Sequence, residues 1–338
     1  MSTSKARRVR APGPDVQRGT VVALTIGVLA AAAAVVYAGA GSVARALETL
    51  HVRGLLVLVL IHLPIVILMG VAWWLASGAD PPASAPRFVW ARFVRDAAAE
   101  LLPFLQFGGV IFGLRALGRG RVITVGAVSA SIDGVVELTA KLPYTFAALV
   151  TLLALAPQQR LARWLGLALI VSSALVAGLL LARRPLTASL NAMAAAMSAR
   201  WPAILKDHLT GYDLQACFDR ILAQRARLWS GFAIHLCCWF LGALEVWFAF
   251  RLLGVELSLL QALAIDGAVS GLRTFGFLVP AAAGVQEASY MLAAAVFGIA
   301  PAAAIAASLA RRARDLVLGI GTLGITGLGD ARVAARGT

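Results

Sequence analysis

The stretch GLLVLVLIHLPIVILMGVAWWLA, Gly54–Ala76, contains no Asp, Glu, Lys or Arg residue. A helix of this length, rising about 1.5 Å per residue, crosses a hydrocarbon core about 30 Å thick. The whole chain shares this character, because 60% of its 338 residues are hydrophobic and only 14% are charged. Soluble domains carry about 25% charged residues. The sequence therefore predicts an all-α, polytopic membrane protein that forms a single membrane domain over residues 1–338.

Other apolar windows are also long enough to cross the membrane, and together with the first they predict about six full spans. They are Gly19–Ala40, Val122–Leu155, Trp164–Ala182, Leu228–Phe250 and Ala302–Leu328. Two further apolar regions, Arg87–Leu117 and Leu260–Gly298, are interrupted by Pro and Gly in the segments LLPFLQFGG and FLVPAAAGVQE. Because Pro breaks a helix, we expect each region to form two half-helices joined by an irregular break. Loop charge does not decide whether these broken hairpins re-enter the membrane or cross it twice.

Arg and Lys residues are concentrated near the N-terminus and in segments 77–95 and 183–227. Cytosolic loops of membrane proteins carry an excess of these residues. This pattern predicts a multi-pass protein of the bacterial inner membrane with both termini in the cytosol. Segment 183–227 alternates apolar and charged positions, which is typical of amphipathic helices on the cytosolic face. The net charge of +14 thus indicates topology, and we expect no nucleic-acid partner.

The two halves of the chain have weak internal similarity. A shift of 173 residues places His62 on His235, and a shift of 177 places Pro103 on Pro280. The order of span, broken region and span recurs in residues 19–157 and 164–330. With the topology above, this order predicts an inverted repeat, the plan of many transporters. Chance matching of apolar sequence is the alternative explanation.

Charged residues inside the predicted spans are candidate site residues, because each costs about 2.5 to 3.5 kcal/mol on insertion scales. Asp133, Glu137 and Lys141 recur every four residues and share one helix face. The last span instead carries basic residues, at Arg311, Arg312 and Arg314. The acidic and basic faces could neutralise each other, or Lys141 could neutralise Glu137 within its own helix. Alternatively, the arginines reach the interface or bind a lipid phosphate through paired donors, with Arg312 or Arg314 the favoured residue.

The broken regions are a second candidate site, because a half-helix that starts inside the membrane exposes N–H groups and a positive dipole end. An anionic headgroup would satisfy both, with Gln286 and Glu287 beside it. The predicted break residues are Pro103, Gly108, Gly109, Pro280 and Gly284. We expect Gly108 and Gly284 to line a common cavity. The alternative is a kink that serves only helix packing.

Three other titratable residues lie within predicted spans. His62 and His235 could relay protons, although packing histidines bonded to a backbone carbonyl are the favoured interpretation. Glu245 stands alone in its span and is a stronger functional candidate, because an unpaired carboxylate is costly there. Its partner cannot be identified from the sequence.

The segments SIDGVVELTAK (131–141), VPAAAGVQE (279–287) and SLARRARDL (308–316) resemble the flippase-like membrane domain of lysylphosphatidylglycerol synthases. From about Arg87 onward, the chain looks most like the hopanoid-biosynthesis-associated branch of that family. The resemblance implies a lipid-translocating or lipid-handling domain with pseudo-symmetric halves. It carries over the candidate substrate-binding residues Asp133, Glu137, Glu245, Gln286, Glu287, Arg311, Arg312 and Arg314. Val110 and Lys141 depart from the family's pattern, and the soluble aminoacyl-transfer domain of the synthases is not expected.

The function expected from the sequence is a lipid flippase or lipid transporter, acting on a hopanoid, a glycolipid or a phospholipid. A membrane-embedded enzyme or accessory protein of lipid biosynthesis is the alternative, with Asp133 and Glu137 as acid and base. The sequence contains no nucleophile motif or nucleotide-binding loop, which argues against an enzyme. Cys217, Cys237 and Cys238 lack metal-type spacing, so neither metal nor cofactor is expected. A membrane lipid is the expected partner, with lipid-biosynthesis enzymes as further partners.

Overall fold

A computed structural model of the chain describes residues 36, 40–101, 108–118, 121–157, 160–200, 214–273 and 284–336. Within these ranges the regular secondary structure is entirely α-helical, which confirms the predicted all-α class. The helices are α1 (Ala40–Leu75), α2 (Ala85–Leu101), α3 (Gly108–Leu117), α4 (Arg121–Leu155), α5 (Arg160–Arg200), α6 (Leu214–Leu222), α7 (Arg225–Leu252), α8 (Leu259–Arg273), α9 (Val285–Ala295) and α10 (Pro301–Arg336).

The described part of the chain contains apolar helical segments long enough to cross a membrane. They are Leu47–Leu75, Val122–Leu155, Arg160–Ala182 and Arg225–Leu252. These segments match the second to fifth predicted spans, and the chain is a multi-pass membrane protein. The predicted span Gly19–Ala40 lies almost entirely outside the described residues. The predicted span Ala302–Leu328 falls within α10, whose charged stretch from Arg311 to Asp315 distinguishes it from the apolar segments.

Each broken region forms a pair of helices, as predicted. A Cβ added to Gly109 in α3 would lie 2.5 Å from the carbonyl oxygen of Arg95 in α2, and one added to Gly113 would lie 2.9 Å from that of Ala91. Positions later in α3 thus meet positions earlier in α2, so the two helices run antiparallel as a hairpin. Helices α8 and α9 also pack against each other. The break residues Pro103 and Pro280 lie outside the described residues.

The segment predicted as a separate amphipathic connection, 183–227, begins as a continuation of a span. Helix α5 does not end at Ala182 but runs to Arg200. The chain after Leu186 is rich in Ala, Leu and Met, which are strong helix formers and favour this extension. Later in the segment, α6 packs its apolar face against α4, where Ile221 joins a buried cluster with Ile132.

The helix contacts have the exchange symmetry expected of two related halves. Helix α1 packs against α2 and α10, and its counterpart α7 packs against α8 and α4. Likewise α2 packs against α10, and α8 packs against α4. Helices α1 and α7 pack against each other at the centre of this arrangement. This pattern is consistent with an internal repeat, and the boundaries 19–157 and 164–330 stay a prediction.

Candidate functional site

The first group of buried charges surrounds Arg92 of α2, whose residue surface is only 5% exposed. Arg92 Nε donates a hydrogen bond to Asp96 Oδ2 at 2.8 Å, and Nη1 donates to Glu137 Oε2 at 3.3 Å. The same Nη1 lies 3.8 Å from Asp133 Oδ2. His235 Nε2 of α7 lies 2.9 Å from Asp133 Oδ1. These five residues form what we name the Arg92 cluster.

This cluster differs from one alternative that the sequence left open, in which the acidic face of α4 and the arginines of α10 neutralise each other. Asp133 and Glu137 pair with Arg92 and His235 instead. The reason is packing: α4 lies mainly against α5, α7 and α8, whereas α10 lies mainly against α1, α2 and α9. Lys141 donates a hydrogen bond outside its own helix, to the carbonyl oxygen of Ser270 in α8 at 3.0 Å.

Asp133, Glu137 and His235 also place potential metal ligands close together, with their ligand atoms within 4.8 Å of one another. Nη1 of Arg92 lies near both carboxylates, so a positive charge already balances part of their negative charge. This geometry favours an ion-pair cluster over a metal centre. The expectation that the protein binds no metal stays a prediction.

The second group of buried charges surrounds Glu245 of α7, which is 0% exposed. The guanidinium of Arg314 in α10 contacts Glu245 Oε1, and Arg311 Nε lies 3.7 Å from the same oxygen. On the other carboxylate oxygen, His62 Nδ1 of α1 lies 3.0 Å from Glu245 Oε2. Arg311 Nη1 also lies 3.0 Å from Asp266 Oδ1 in α8. We name these five residues the Glu245 cluster.

Two tyrosines hold the polar groups of the Glu245 cluster in place. Arg311 Nη1 donates a hydrogen bond to Tyr290 Oη at 2.6 Å, and the hydroxyl of Tyr144 donates to Asp266 Oδ2. Both tyrosines are almost completely buried. Because each of their hydroxyls has a partner, the cluster can be buried at a lower cost than isolated charges.

The histidines differ from the favoured interpretation of carbonyl-bonded packing residues. Each is within hydrogen-bond distance of a buried carboxylate, His62 with Glu245 and His235 with Asp133. Helix packing selects these partners, since α1 lies on α7 and α7 lies on α4. The carboxylate of Glu245, for which the sequence suggested no partner, therefore has two arginines and a histidine around it.

At the second break, the structure describes the start of α9, where Gly284, Gln286 and Glu287 have hydrogen-bond partners within the protein. The backbone N–H of Gly284, with φ at 76°, donates to Glu287 Oε2 at 2.8 Å. Arg312 Nε donates to Glu287 Oε1 at 2.6 Å. Gln286 Nε2 donates to Ser308 Oγ at 3.1 Å, which ties α9 to α10. Glu287 thus supplies negative charge at the start of α9, where the helix dipole favours it.

At the first break, the structure describes only one of the two glycines in its surroundings. Gly109 packs closely on α2, whereas the surroundings of Gly108 lie outside the described residues. The expectation that Gly108 and Gly284 line a common cavity therefore stays a prediction. Gly284 is buried beside Glu287, where the backbone requires its positive φ.

A cavity of about 350 Å³ lies between α1, α4, α7, α8 and α10. Its apolar lining includes Ile65, Met69 and Trp239. Its charged and titratable lining residues are His62, Lys141, Glu245, Asp266, Arg273 and Arg311. Two arginines and one lysine thus face two carboxylates. We name this space the cationic cavity.

Among the three arginines of α10, Arg311 lines the cationic cavity. The favoured residues had been Arg312 and Arg314. Arg312 instead binds Glu287, and Arg314 is buried against Glu245 and Asp315. Arg312 differs because successive residues of a helix point about 100° apart, so it faces α9 while Arg311 faces the cavity. Arg314 lies on the same side as Arg311, three residues further along, but Glu245 and Asp315 bind its guanidinium.

Sequence reasoning missed several residues of the two clusters and the cavity: Arg92, Asp96, Tyr144, Asp266, Arg273 and Tyr290. Asp266 was detectable, because it interrupts the apolar run ALAIDGAVSG just as Glu245 interrupts its own span. Arg92 was not, because it lies among other charged residues in α2, including Arg95 and Asp96. Only the packing of α2 shows that Arg92 is the buried member of that set.

Comparisons with known proteins agree with this architecture. The family model described as the lysylphosphatidylglycerol synthase TM region matches residues 21–321. No curated protein and no solved structure matches the chain. The family match covers most of the 338 residues and includes both charge clusters. The chain therefore belongs to the family of lysylphosphatidylglycerol synthase transmembrane regions, and it is a membrane protein with a lipid-related function.

Proposed function

We propose that this protein moves a lipid with an anionic headgroup between the leaflets of the bacterial cytoplasmic membrane and leaves the lipid chemically unchanged. The observation that carries the proposal is the cationic cavity. It is lined in part by α1, α4 and α7, which are long and apolar enough to cross a membrane, and it holds Lys141, Arg273 and Arg311. The distribution of Arg and Lys along the chain supports an orientation with both termini in the cytosol.

The chemistry of the cavity suits a phosphate headgroup. Arg311 offers planar paired donors, and its contacts with Asp266 and Tyr290 fix its orientation. The apolar side chains of Ile65 and Met69 offer a surface for the glycerol end of a lipid. A volume of about 350 Å³ accommodates a headgroup, while the acyl chains remain in the surrounding membrane.

The charge balance of the cavity also favours one class of lipid over others. Three basic side chains face two carboxylates, so the lining has a surplus of positive charge. A neutral hopanoid or glycolipid headgroup does not use that surplus, whereas the phosphate of an anionic phospholipid does. We therefore place anionic phospholipids ahead of hopanoids and glycolipids as the substrate.

A membrane-embedded enzyme is less well supported. Its proposed acid and base, Asp133 and Glu137, are held by Arg92 and His235 within the Arg92 cluster. Neither residue lines the cationic cavity. A general acid or base must lie within hydrogen-bond reach of the group it serves, so these two residues are poorly placed to act on a headgroup in this cavity.

The proposal can be tested with the purified full-length chain in phosphatidylcholine–phosphatidylglycerol liposomes. A fluorescent phosphatidylglycerol in the outer leaflet should become protected from an external quencher faster than in protein-free vesicles. Arg273→Gln should slow this protection. The matched control is Arg251→Gln, an exposed residue stacked on Trp247 and outside the cavity. A rate equal to that of protein-free vesicles would overturn the proposal, and a lipid product of altered mass would favour the enzyme.

A further inference from the structure

His62 lies between two cavities. On one side it lines the cationic cavity, and on the other it lines a smaller space of about 30 Å³ between α1, α2 and α10. The titratable residues of the smaller space are all acidic apart from His62 itself: Asp96, Glu100 and Asp315. Its volume is sufficient for a water molecule. We name this space the acidic cavity.

The two sides of His62 differ in their contacts. Toward the cationic cavity, its Nδ1 lies 3.0 Å from Oε2 of the fully buried Glu245. Toward the acidic cavity, Asp96 is bound by Arg92 and Asp315 is bound by Arg314. The acidic cavity therefore lies between the Arg92 cluster and the Glu245 cluster, and His62 is the titratable side chain common to both spaces.

Charged and titratable groups face this region from every neighbouring helix. They are Glu245 of α7, Asp96 and Glu100 of α2, Arg311, Arg314 and Asp315 of α10, Lys141 of α4, and Asp266 and Arg273 of α8. An imidazole is suited to such a place, because it can accept a proton on one nitrogen and release another from the second nitrogen.

We propose that His62 passes protons between the acidic cavity and Glu245, and that this step couples lipid movement to the proton gradient. This inference rests on the proposed lipid transport. A carboxylic acid of the acidic cavity gives a proton to Nε2 of His62, directly or through a water molecule, and becomes a carboxylate. In the same step Nδ1 releases its proton to Glu245 Oε2, so the imidazole ring stays neutral. Rotation of the neutral ring, or the reverse transfer, restores the starting tautomer.

Protonation of Glu245 changes the cationic cavity directly. Neutral Glu245 attracts Arg311 less strongly, and Arg311 Nε lies only 3.7 Å from the carboxylate oxygen. Arg311 is then more available to a phosphate in the cavity. Binding of an anionic headgroup and protonation of Glu245 therefore favour each other, as linkage requires. When the headgroup leaves on the far side, Glu245 releases its proton to water in the cationic cavity, which it lines. The lipid and the proton therefore move in the same direction.

The test uses full-length protein in the same liposomes, with fluorescent phosphatidylglycerol in the outer leaflet and the membrane voltage clamped by potassium and valinomycin. The measured quantity is the ratio of inward lipid movement with acid outside to that with acid inside. Because lipid and proton move in the same direction, this ratio should exceed one for either orientation of the protein in the membrane. For the native chain we expect a ratio of about fivefold or more, the lower range of typical coupling.

His62→Gln should reduce this ratio to near unity, because an amide cannot relay protons. The ratio is compared within each variant, so a slower overall rate does not affect it. The matched control is His51→Asn, an exposed histidine at φ 50°, a conformation that Asn tolerates. It should keep the native ratio. A His62→Gln variant that keeps the native ratio would overturn the proton path.

A second variant tests the same path independently, in case His62→Gln does not fold. Glu100→Gln removes an acid from the acidic cavity without changing its size, and should also lower the ratio. An unchanged ratio in this variant would count against the path. If the native chain moves lipid equally fast under both gradients, the coupling fails and lipid transport stands. If the native chain moves no lipid at all, the proposed function fails and the coupling fails with it.

Discussion

His62 Nδ1 and Glu245 Oε2 lie 3.0 Å apart, although 183 residues separate them in the chain. One residue comes from each predicted repeat. The reciprocal pair is His235 and Asp133, with Nε2 and Oδ1 2.9 Å apart. Each half of the chain thus supplies a histidine to a buried carboxylate of the other half. In the proposed transport, a change in protonation at either pair would therefore act directly on the contact between the two halves.

Close packing of α8 on α4 gives a first prediction. A Cβ added to Gly267 would overlap the Cβ of Ala148, so Gly267→Ala forces the two helices apart. We expect a loss of about 1–3 kcal/mol in the free energy of unfolding. The control is Gly178→Ala in α5, where nothing lies within 4 Å of the added methyl group. Thermal unfolding in detergent should separate the two variants, and equal stability would contradict the packing.

Sidedness gives a second prediction. Helix α7 is long and apolar enough to cross the membrane, so the exposed residues Arg220 and Glu256, before and after it, should lie on opposite sides. Single cysteines at these positions, in a chain whose native cysteines are replaced, should react oppositely with a membrane-impermeant thiol reagent. We expect Arg220→Cys to be protected from outside and Glu256→Cys to be labelled. Labelling of Arg220→Cys from outside would reverse the proposed topology.

The sequence predicts those features that depend on local composition. Gly54–Ala76 and Val122–Leu155 are apolar over lengths that suit only a membrane, and the helices there follow directly. The Pro and Gly residues at the two breaks likewise predict helix pairs. Glu245 is recognisable as a site residue because a single carboxylate in an apolar span carries a high cost.

Ion pairs between helices could not be predicted from the sequence, because they depend on which helix faces pack together. The acidic face of Asp133 and Glu137 is visible in the sequence, but its partner Arg92 lies in a helix that resembles a surface helix. In the same way, the pattern SLARRARDL does not show which arginine faces a cavity. The choice of Arg311 follows from the packing of α10 against its neighbours.

The arginines of α10 give a third prediction. Arg311→Lys keeps the charge but loses the planar paired donors, so exchange of fluorescent phosphatidylglycerol should fall about tenfold, equivalent to about 1.4 kcal/mol. Arg312→Lys changes a residue that binds Glu287 and does not line the cationic cavity. Its exchange rate should stay close to the native rate. A slower exchange rate for Arg312→Lys than for Arg311→Lys would instead indicate a headgroup site at the start of α9.

The pair of Arg314 and Glu245 gives the last prediction, because it separates a structural ion pair from a transport residue. Arg314 is almost fully buried and contacts Glu245 and Asp315. Arg314→Gln leaves Glu245 in a low-dielectric site with a weaker set of partners. We therefore expect a loss of about 3–5 kcal/mol in unfolding free energy, measured by tryptophan fluorescence in detergent.

Replacing both members of this pair should reverse most of the loss. In Arg314→Gln/Glu245→Gln two neutral amides take the place of the charges, so no buried carboxylate is left without its main cation. The control for a pairwise effect is Asp219→Asn, an exposed residue in α6 whose change should alter stability by less than about 0.5 kcal/mol. The double variant should nevertheless lose the response of lipid movement to the proton gradient, because Glu245 is the proton acceptor for His62. A double variant that regains both stability and gradient response would contradict this role of Glu245. Arg314 and Glu245 would then be purely structural, and Asp266, the other carboxylate of the cationic cavity, would be the candidate proton acceptor.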